Sequence, residues 1–97
     1  MVILVLNSAS DALRGELSKW LLEPKAGVMV GKVSALVREK LWQMVLENHR
    51  DPNGAVMIYS TNTEQGFDIK IMGDPVRTVE DFDGILLIKY LENRDIF

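Results

Sequence analysis

The apolar run from Val2 to Leu6 constrains the fold of this chain more than any other segment. Its sequence, VILVL, is continuously apolar and mostly β-branched. Such a run is typical of a central strand that is covered on both faces. It is too short for a membrane span, has no basic region before it and leads directly into Asn7, so we expect neither a signal peptide nor a membrane anchor. We therefore predict a buried first strand.

A first helix is predicted directly after this strand. The side-chain oxygens of Ser8, Ser10 and Asp11 can accept the unpaired amides of a helix start, and Ser8 and Asp11 are spaced like a capping box. The helix is expected to end near Glu23-Pro24, since proline disfavours helix in the residue before it. The glycine at position 15 indicates that a partner approaches this helix closely. One apolar stripe marks the expected core face: Leu13, Leu17, Trp20 and Leu21.

A second helix is predicted to start at Ser34. Trp42 and Leu46 project away from its main apolar stripe and are too apolar to leave in water, so we expect a subunit interface to cover them. The stripe itself predicts the core face: Val37, Leu41, Met44 and Val45.

The remaining segments are typical of short strands. One or two strands fit Ala26 to Gly31, and a hairpin fits Ala55–Ser60 and Phe67–Met72. A polar connection is expected from Gly73 to Gly84, before a last strand over residues 85–91. Strands alternating with two helices predict an α+β (α/β) fold, a ferredoxin-like βαββαβ sandwich with both helices on one face, in a single domain over residues 1–97.

The composition narrows the classes of function. A chain of 97 residues with 47% hydrophobic residues can bury one core. A net charge of −3 argues against a protein that coats nucleic acid unaided, although 11 Lys and Arg residues can still cluster on one face. The absence of cysteine excludes disulfides and thiol nucleophiles and fits a reducing compartment.

No motif for nucleotide hydrolysis is present. The sequence contains neither a Walker loop nor a dinucleotide fingerprint, and no serine lies in a nucleophile elbow. His49 is the only histidine, and its place at a helix end favours either a solvated role or one stabilised by the helix dipole. Asp11, Glu64 and Asp68 are the acids that could hold magnesium, although helix capping, a hairpin loop and an alternating strand also explain them.

Two arginines are placed to meet nucleic acid or a protein surface. Arg14 lies in the first turn of the first helix, where a cation opposes the helix dipole and gains most from a bound phosphate. Arg38 lies one turn before Trp42, so a base or a protein surface could meet the pair; a solvated arginine packed along an aromatic ring explains the same spacing.

Several blocks along the chain resemble the type I-E subgroup of the Cas2 family of CRISPR-associated proteins. They follow one another in register over almost the whole chain: LRGELSKWLLE (13–23), AGVMVG (26–31), VSA (33–35), VRE (37–39), LW (41–42), TNTEQGF (61–67), RT (77–78) and DG (83–84).

The resemblance implies a ferredoxin-like homodimer with extra C-terminal strands, which bridges two dimers of the CRISPR integrase in the prokaryotic cytoplasm during spacer acquisition. It places basic side chains on the backbone of the captured duplex DNA: Arg14, Lys25, Arg38 and Arg77. The apolar last strand is the expected dimer interface, through Ile85, Leu87 and Tyr90. Some relatives continue into an exonuclease domain, so a truncation or fusion point is expected after about residue 91.

The alternative function is a metal-dependent endonuclease that cleaves RNA or double-stranded DNA. Family members described in this way carry an acid at the end of the first strand, where this chain has Asn7. Asp11 or Glu64 could substitute as catalytic or magnesium-binding residues, but the neutral Asn7 predicts weak or no nuclease activity. The structural role requires no cofactor. A toxin-like ribosome-associated nuclease rests only on the expected fold.

Overall fold

The computed structural model describes residues 1–49, 54–73, 77–82 and 85–90. The elements alternate between strands and two helices in the first part of the chain and are strands thereafter. In chain order they are β1 (Val2–Leu6), α1 (Asp11–Leu17), β2 (Leu22–Lys25), β3 (Val28–Gly31), α2 (Ala35–Asn48), β4 (Ala55–Ser60), β5 (Phe67–Met72), β6 (Arg77–Phe82) and β7 (Ile85–Tyr90).

The strands form a five-stranded antiparallel sheet in the order β2-β3-β1-β4-β5, and β6 and β7 form a separate two-stranded sheet. The first four of these strands, β2-β3-β1-β4, have the ferredoxin-like arrangement, which confirms the predicted fold class. β1 lies at the centre of the sheet, between β3 and β4, as its continuously apolar sequence predicts.

One face of the large sheet carries the core. Leu4, Met29 and Met57 are fully buried on neighbouring strands of this face, where Leu4 lies opposite both methionines. They belong to one apolar cluster with buried residues of both helices, including Leu17 and Leu41. Both helices therefore cover the same face of the sheet, as predicted.

The opposite face of the large sheet is also apolar, but the two helices leave it uncovered. Alternation along the strands and the register between them place one continuous apolar surface there, called the open face below. Its side chains are all half-buried: Ile3, Val5, Val28, Val30, Val56, Ile58, Phe67, Ile69 and Ile71.

Helix α1 is shorter than predicted. Ser10 is its N-cap and accepts a hydrogen bond from the Leu13 amide at 3.1 Å, whereas Ser8 lies outside the helix with a positive φ of 56°. The helix ends at Leu17, so the helical spacing no longer applies to the next residues. The prediction that Trp20 lies in the core is wrong, since its side chain is 54% exposed.

Helix α2 begins where the sequence predicts, with the Ser34 hydroxyl accepting from the Val37 amide at 3.2 Å. Its buried arc is wider than the predicted stripe and includes Trp42, which is only 8% exposed. The prediction that a subunit interface covers Trp42 is therefore wrong, because the core of the same chain already buries this ring. Leu46 does remain exposed.

The C-terminal segment contains one strand more than the residue pattern predicted. β6 occupies Arg77–Phe82, within the expected polar connection, and pairs with β7 so that Phe82 lies opposite Ile85. This agrees with the extra C-terminal strands that the resemblance implies. Leu91 and the truncation point expected after about residue 91 lie outside the described residues. Within the described ranges, no helix is long and apolar enough to cross a membrane.

Candidate nucleic-acid interface

Arg14 is held by two carboxylates. Its Nε donates to Glu23 Oε2 at 2.7 Å, and its Nη1 donates to Asp11 Oδ1 at a long 3.4 Å. Glu23 Oε2 also accepts the Gly27 amide at 2.9 Å, so the same oxygen joins α1 to the turn between β2 and β3. A phosphate that binds Arg14 would therefore compete with Glu23 and Asp11 for the guanidinium N–H groups.

The Arg14 pair shifts the titration of both partners. The hydrogen bond between them raises the pKa of Arg14 above its ordinary value. The same bond, helped by the Gly27 amide, lowers the pKa of Glu23. Glu23 is thus held in its charged form, and Arg14 contributes to the stability of the fold as well as to the charge of the surface.

Arg38 lies over an aromatic ring. Its Cζ atom is 3.9 Å from the centroid of the Tyr59 ring, well within the range of a cation–π interaction. Its Nε donates to Glu39 Oε2 at 3.2 Å. The contact joins α2 to β4, because Arg38 belongs to the second turn of the helix and Tyr59 lies near the end of the strand.

The outer nitrogens of Arg38 face solvent. No hydrogen bond within the described part of the chain uses its Nη atoms, and no buried side-chain nitrogen or oxygen there lacks a partner. The Nη groups are therefore accessible, although only 22% of the side chain is exposed. A guanidinium that is fixed at Nε and open at both Nη groups matches the geometry for bidentate contact with a phosphate.

Glu39 links Arg38 to a second cation. Its Oε1 accepts from Lys70 Nζ at 2.9 Å, while its Oε2 accepts from Arg38. The hydrogen bond from Lys70 is the largest cause that lowers the pKa of Glu39, and the bond from Arg38 adds to it. Two cations from α2 and β5 therefore lie beside one half-exposed carboxylate.

Tyr59 is fixed beneath Arg38 by Asp68. The Tyr59 hydroxyl donates to Asp68 Oδ2 at 2.9 Å. Burial raises the pKa of Tyr59, and the hydrogen bond to Asp68 raises it further, so the hydroxyl stays protonated and keeps donating. This hydrogen bond gives Asp68 a structural partner.

Lys25 and Arg77 complete the predicted set of basic residues. Lys25 is exposed at the end of β2, opposite Val28. Arg77 is the first residue of β6 and lies opposite Tyr90 in the ladder. Arg14 lies on α1 and Lys25 on the next element in the chain, β2, whereas Arg38 lies on α2.

The predicted acidic residues do not gather at one place. Asn7 directly follows β1, as expected, and its backbone N–H donates to the Gly54 carbonyl oxygen at 3.0 Å. Asp11 lies at the same end of the sheet, but Glu64 follows β4, whose last residue, Ser60, pairs beside Met1 at the other end. The six-residue strand β4 separates the two ends by about 17 Å at ~3.4 Å per residue.

Asp11 and Glu64 therefore cannot hold one magnesium ion within a single chain. Among the residues the structure describes, no three His, Asp or Glu side chains are grouped to hold a metal ion.

His49 is not solvated. It caps the C-terminus of α2 but is only 7% exposed, and its Nε2 lies 3.0 Å from the Gly54 carbonyl oxygen. A carbonyl oxygen only accepts, so Nε2 carries the proton. The solvated alternative is wrong because the ring is buried and contacts the backbone of Gly54. The alternative favoured by the helix dipole stays a prediction.

Tyr59 and Glu39 are the residues of this region that the sequence did not indicate. The pattern placed Arg38 beside Trp42, one turn along the helix, whereas its actual aromatic partner comes from another element. The only available signal was the alternation of β4, which places Tyr59 on the same face as the buried Ala55 and Met57.

Residues 1–87 match the sequence model of a family described as CRISPR-associated protein (Cas_Cas2CT1978). The match covers every element from β1 to β6 and the start of β7. The chain belongs to the Cas2 family. Its CRISPR-associated role follows from this membership, and the ferredoxin-like sheet with added C-terminal strands is the fold that the Cas2 resemblance implied.

Proposed function

We propose that this Cas2-family chain is a homodimeric subunit of spacer acquisition, which bridges dimers of the CRISPR integrase and binds the backbone of the captured duplex DNA. It acts in the prokaryotic cytoplasm and leaves strand transfer to the integrase. The observation that carries the DNA-binding part is Arg38, whose guanidinium is fixed on Tyr59 and Glu39 while both Nη groups face solvent.

The open face supports a second copy of the chain as partner. It is a continuous apolar surface on the side of the sheet that the helices leave uncovered, and large surfaces of this kind mark interaction sites. β7 adds Ile85, Leu87 and Ile88, which are each nearly half exposed. A second copy of the chain would bury both apolar surfaces, since a two-fold axis brings the same patch from each subunit together.

The absence of a net positive charge fits a subunit that acts within a complex. Arg14 and Arg38 each touch a carboxylate, so the chain alone offers phosphates a weak field. Binding of the duplex therefore depends on the assembled complex with the integrase, in which several such contacts act together.

The role is non-catalytic because the end of β1 carries a neutral side chain. Asn7 offers a carbonyl oxygen where a carboxylate would hold a dication more strongly. Asp11 has an arginine neighbour, and Glu64 lies at the opposite end of the sheet. We expect the purified chain to cleave RNA or duplex DNA poorly with magnesium.

A pair of assays tests this function. The purified chain is incubated with magnesium and RNA or duplex DNA, and the chain with its integrase is assayed for spacer capture. We expect negligible cleavage in the first assay and capture that requires the chain in the second. Robust cleavage that Asp11→Asn or Glu64→Gln abolishes, with the fold intact, would make the endonuclease the better assignment.

A further inference from the structure

The contact between Arg38 and Tyr59 joins two elements that are distant in sequence. Arg38 lies on α2 and Tyr59 on β4, and the guanidinium carbon is 3.9 Å from the ring centroid. Tyr59 itself is 9% exposed and held at its hydroxyl by Asp68 on the neighbouring strand β5. The ring therefore has a fixed position before any ligand binds.

A flexible arginine loses rotamer entropy when it is immobilised on a phosphate, at a cost of about 0.5–1.5 kcal/mol per side chain. Stacking on a fixed ring removes part of that cost in advance, and the planar guanidinium keeps its orientation relative to the ring. Glu39 restrains the same side chain from its Nε edge. Together these contacts leave the Nη edge as the part that can meet a ligand.

We propose that Tyr59 is the positioning residue for Arg38: its ring, anchored by Asp68, orients the guanidinium so that the two Nη groups meet a phosphate of the bound duplex. This inference rests on the proposed DNA-binding function. Tyr59 does not itself touch the duplex in this account, because it is buried beneath the arginine.

The arrangement also assigns a role to Glu39 and Lys70. Glu39 accepts a hydrogen bond from Arg38 Nε and competes with phosphate for the guanidinium charge. Lys70 partly neutralises the same carboxylate through its own hydrogen bond. Replacing Glu39 by glutamine removes the competing charge and keeps a side chain that can accept from Nε. Glu39→Gln should therefore tighten DNA binding, whereas Tyr59→Leu should weaken it.

The test uses the full chain assembled with its integrase and a duplex of unrelated sequence. The slope of log affinity against log salt falls by about 0.9 for each phosphate contact that is lost, or about 1.8 for both copies in a dimer. We expect Arg38→Ala and Tyr59→Leu to lower the slope equally and the double variant to lower it no further. Tyr59→Phe, which keeps the ring and loses only the hydroxyl, should retain most of the slope.

Met57→Ala is the matched control for loss of packing. Met57 is fully buried on the same face of β4, two residues from Tyr59, and its truncation leaves the ring in place. We expect Met57→Ala to keep the full slope. An equal loss of slope in Met57→Ala and Tyr59→Leu would show general loosening of the core and would overturn the positioning role.

A second readout needs no DNA. In nuclear magnetic resonance spectra of the free chain, the Arg38 Nε–H group should show an upfield ring-current shift that Tyr59→Phe keeps and Tyr59→Leu removes. A normal salt slope for Tyr59→Leu beside a lowered slope for Arg38→Ala overturns the positioning role and leaves the proposed function standing. An unchanged slope in both variants shows that Arg38 contacts no phosphate, which overturns the inference and removes the main support for the proposed function.

Discussion

At the scale of single residues, Gly15 and Gly27 are placed so that the same substitution should have opposite effects. Gly15 lies on the exposed side of α1, where an added Cβ would meet nothing within 4 Å. Gly27 has φ +81° and faces the Leu6 carbonyl oxygen too closely for any side chain. Gly15→Ala should raise the free energy of unfolding by about 0.5–1 kcal/mol, since alanine favours helix.

Gly27→Ala should instead lower the free energy of unfolding by about 1–3 kcal/mol, because the left-handed backbone and the contact with Leu6 both penalise a Cβ. Urea unfolding of both variants at one fixed protein concentration measures the two effects. A destabilised Gly15→Ala would show that the surroundings of α1 differ from those described. Weaker assembly of a stabilised Gly15→Ala would support close approach of a partner to this helix.

The pair of Arg14 and Glu23 predicts a pH dependence. The folded pKa of Glu23 lies below its ordinary value of 4.5, so its contribution to stability is present above that pH and is lost as the pH falls through the lowered pKa. Arg14→Ala removes the main cause of the shift. It should lower stability at pH 7 and flatten the loss of stability between pH 5 and pH 3.

Unfolding in urea at several pH values checks this. Lys19→Ala is the matched control, because it removes an exposed lysine whose pair with Glu16 is open to solvent and contributes little. The Lys19 variant should follow the unchanged chain at every pH. An Arg14 variant with that same profile would contradict the role given to Glu23.

Sequence pattern located several key residues but not their partners. Ser34 and Leu41 follow from local rules and were predicted correctly. Trp20, Trp42 and His49 were placed on the wrong side of the boundary between core and solvent. Their burial depends on where α1 ends and on contacts such as that between His49 and Gly54, which are consequences of packing between separate segments.

At the scale of elements, Gln65 ties the loop after β4 to β7. Its Nε2 donates to the Leu86 carbonyl at 3.0 Å, and its Oε1 accepts the Leu86 amide at 2.6 Å. One side-chain amide thus pairs with both backbone groups of a strand residue. Gln65→Glu removes the donor and sets a carboxylate against the Leu86 carbonyl, and Gln65→Ala removes both bonds.

We expect Gln65→Ala to speed hydrogen exchange at the Leu86 amide by about tenfold, the effect of losing ~1.4 kcal/mol of protection. Gln65→Glu keeps an acceptor for that amide, so it should speed exchange by less, through repulsion between its carboxylate and the Leu86 carbonyl. Exchange at the Met57 amide, in the centre of the large sheet, should be unchanged. Gln43→Ala is the control, since it removes a glutamine side chain that is exposed on α2. Unchanged exchange at Leu86 in both Gln65 variants would contradict the bridging role of this side chain.

The elements of the first seventy residues were largely predictable, because β1, α2 and the β4–β5 hairpin each carry a strong local pattern. β6 was missed in the residue pattern because its sequence, RTVEDF, is mostly polar and has no alternating apolar face. The Asp83-Gly84 dipeptide that follows is a common hairpin turn and was the available signal.

At the scale of the whole molecule, the open face and β7 predict a homodimer. Ile58 lies on the central region of the open face, and Leu87 is exposed on β7. A lysine at either position should weaken association, because a charge would be buried in an apolar interface. Leu36→Lys is the control, since Leu36 is exposed on the helical side.

Sedimentation at micromolar concentration should give a dimer for the unchanged chain and for Leu36→Lys, and a shift toward monomer for Ile58→Lys and Leu87→Lys. A monomeric unchanged chain would contradict the proposed assembly.

The sequence offered the candidate interface as a set of cations, which stays a prediction, and it did not indicate their geometry. Arg14 and Arg38 were proposed from position and resemblance, but the acids that hold them were not. Glu23 reaches Arg14 from β2, and Glu39 binds Arg38 from the next position of α2. The formal charge of the two arginines therefore overstates their availability to a phosphate, because each already pairs with a carboxylate.

The salt dependence of duplex binding by the chain assembled with its integrase tests whether this chain contacts the duplex backbone. Arg14→Ala, Arg38→Ala and Arg77→Ala are combined in one variant, and Lys19→Ala, Lys32→Ala and Lys40→Ala in a control that removes the same positive charge. Assembly is first verified for both variants. We expect the arginine variant to lower the slope of log affinity against log salt by about 1.8 for each position in the dimer and to lose spacer capture, while the control keeps both the slope and the capture. An arginine variant with the slope and spacer capture of the unchanged complex would contradict the proposal that this chain binds the duplex backbone.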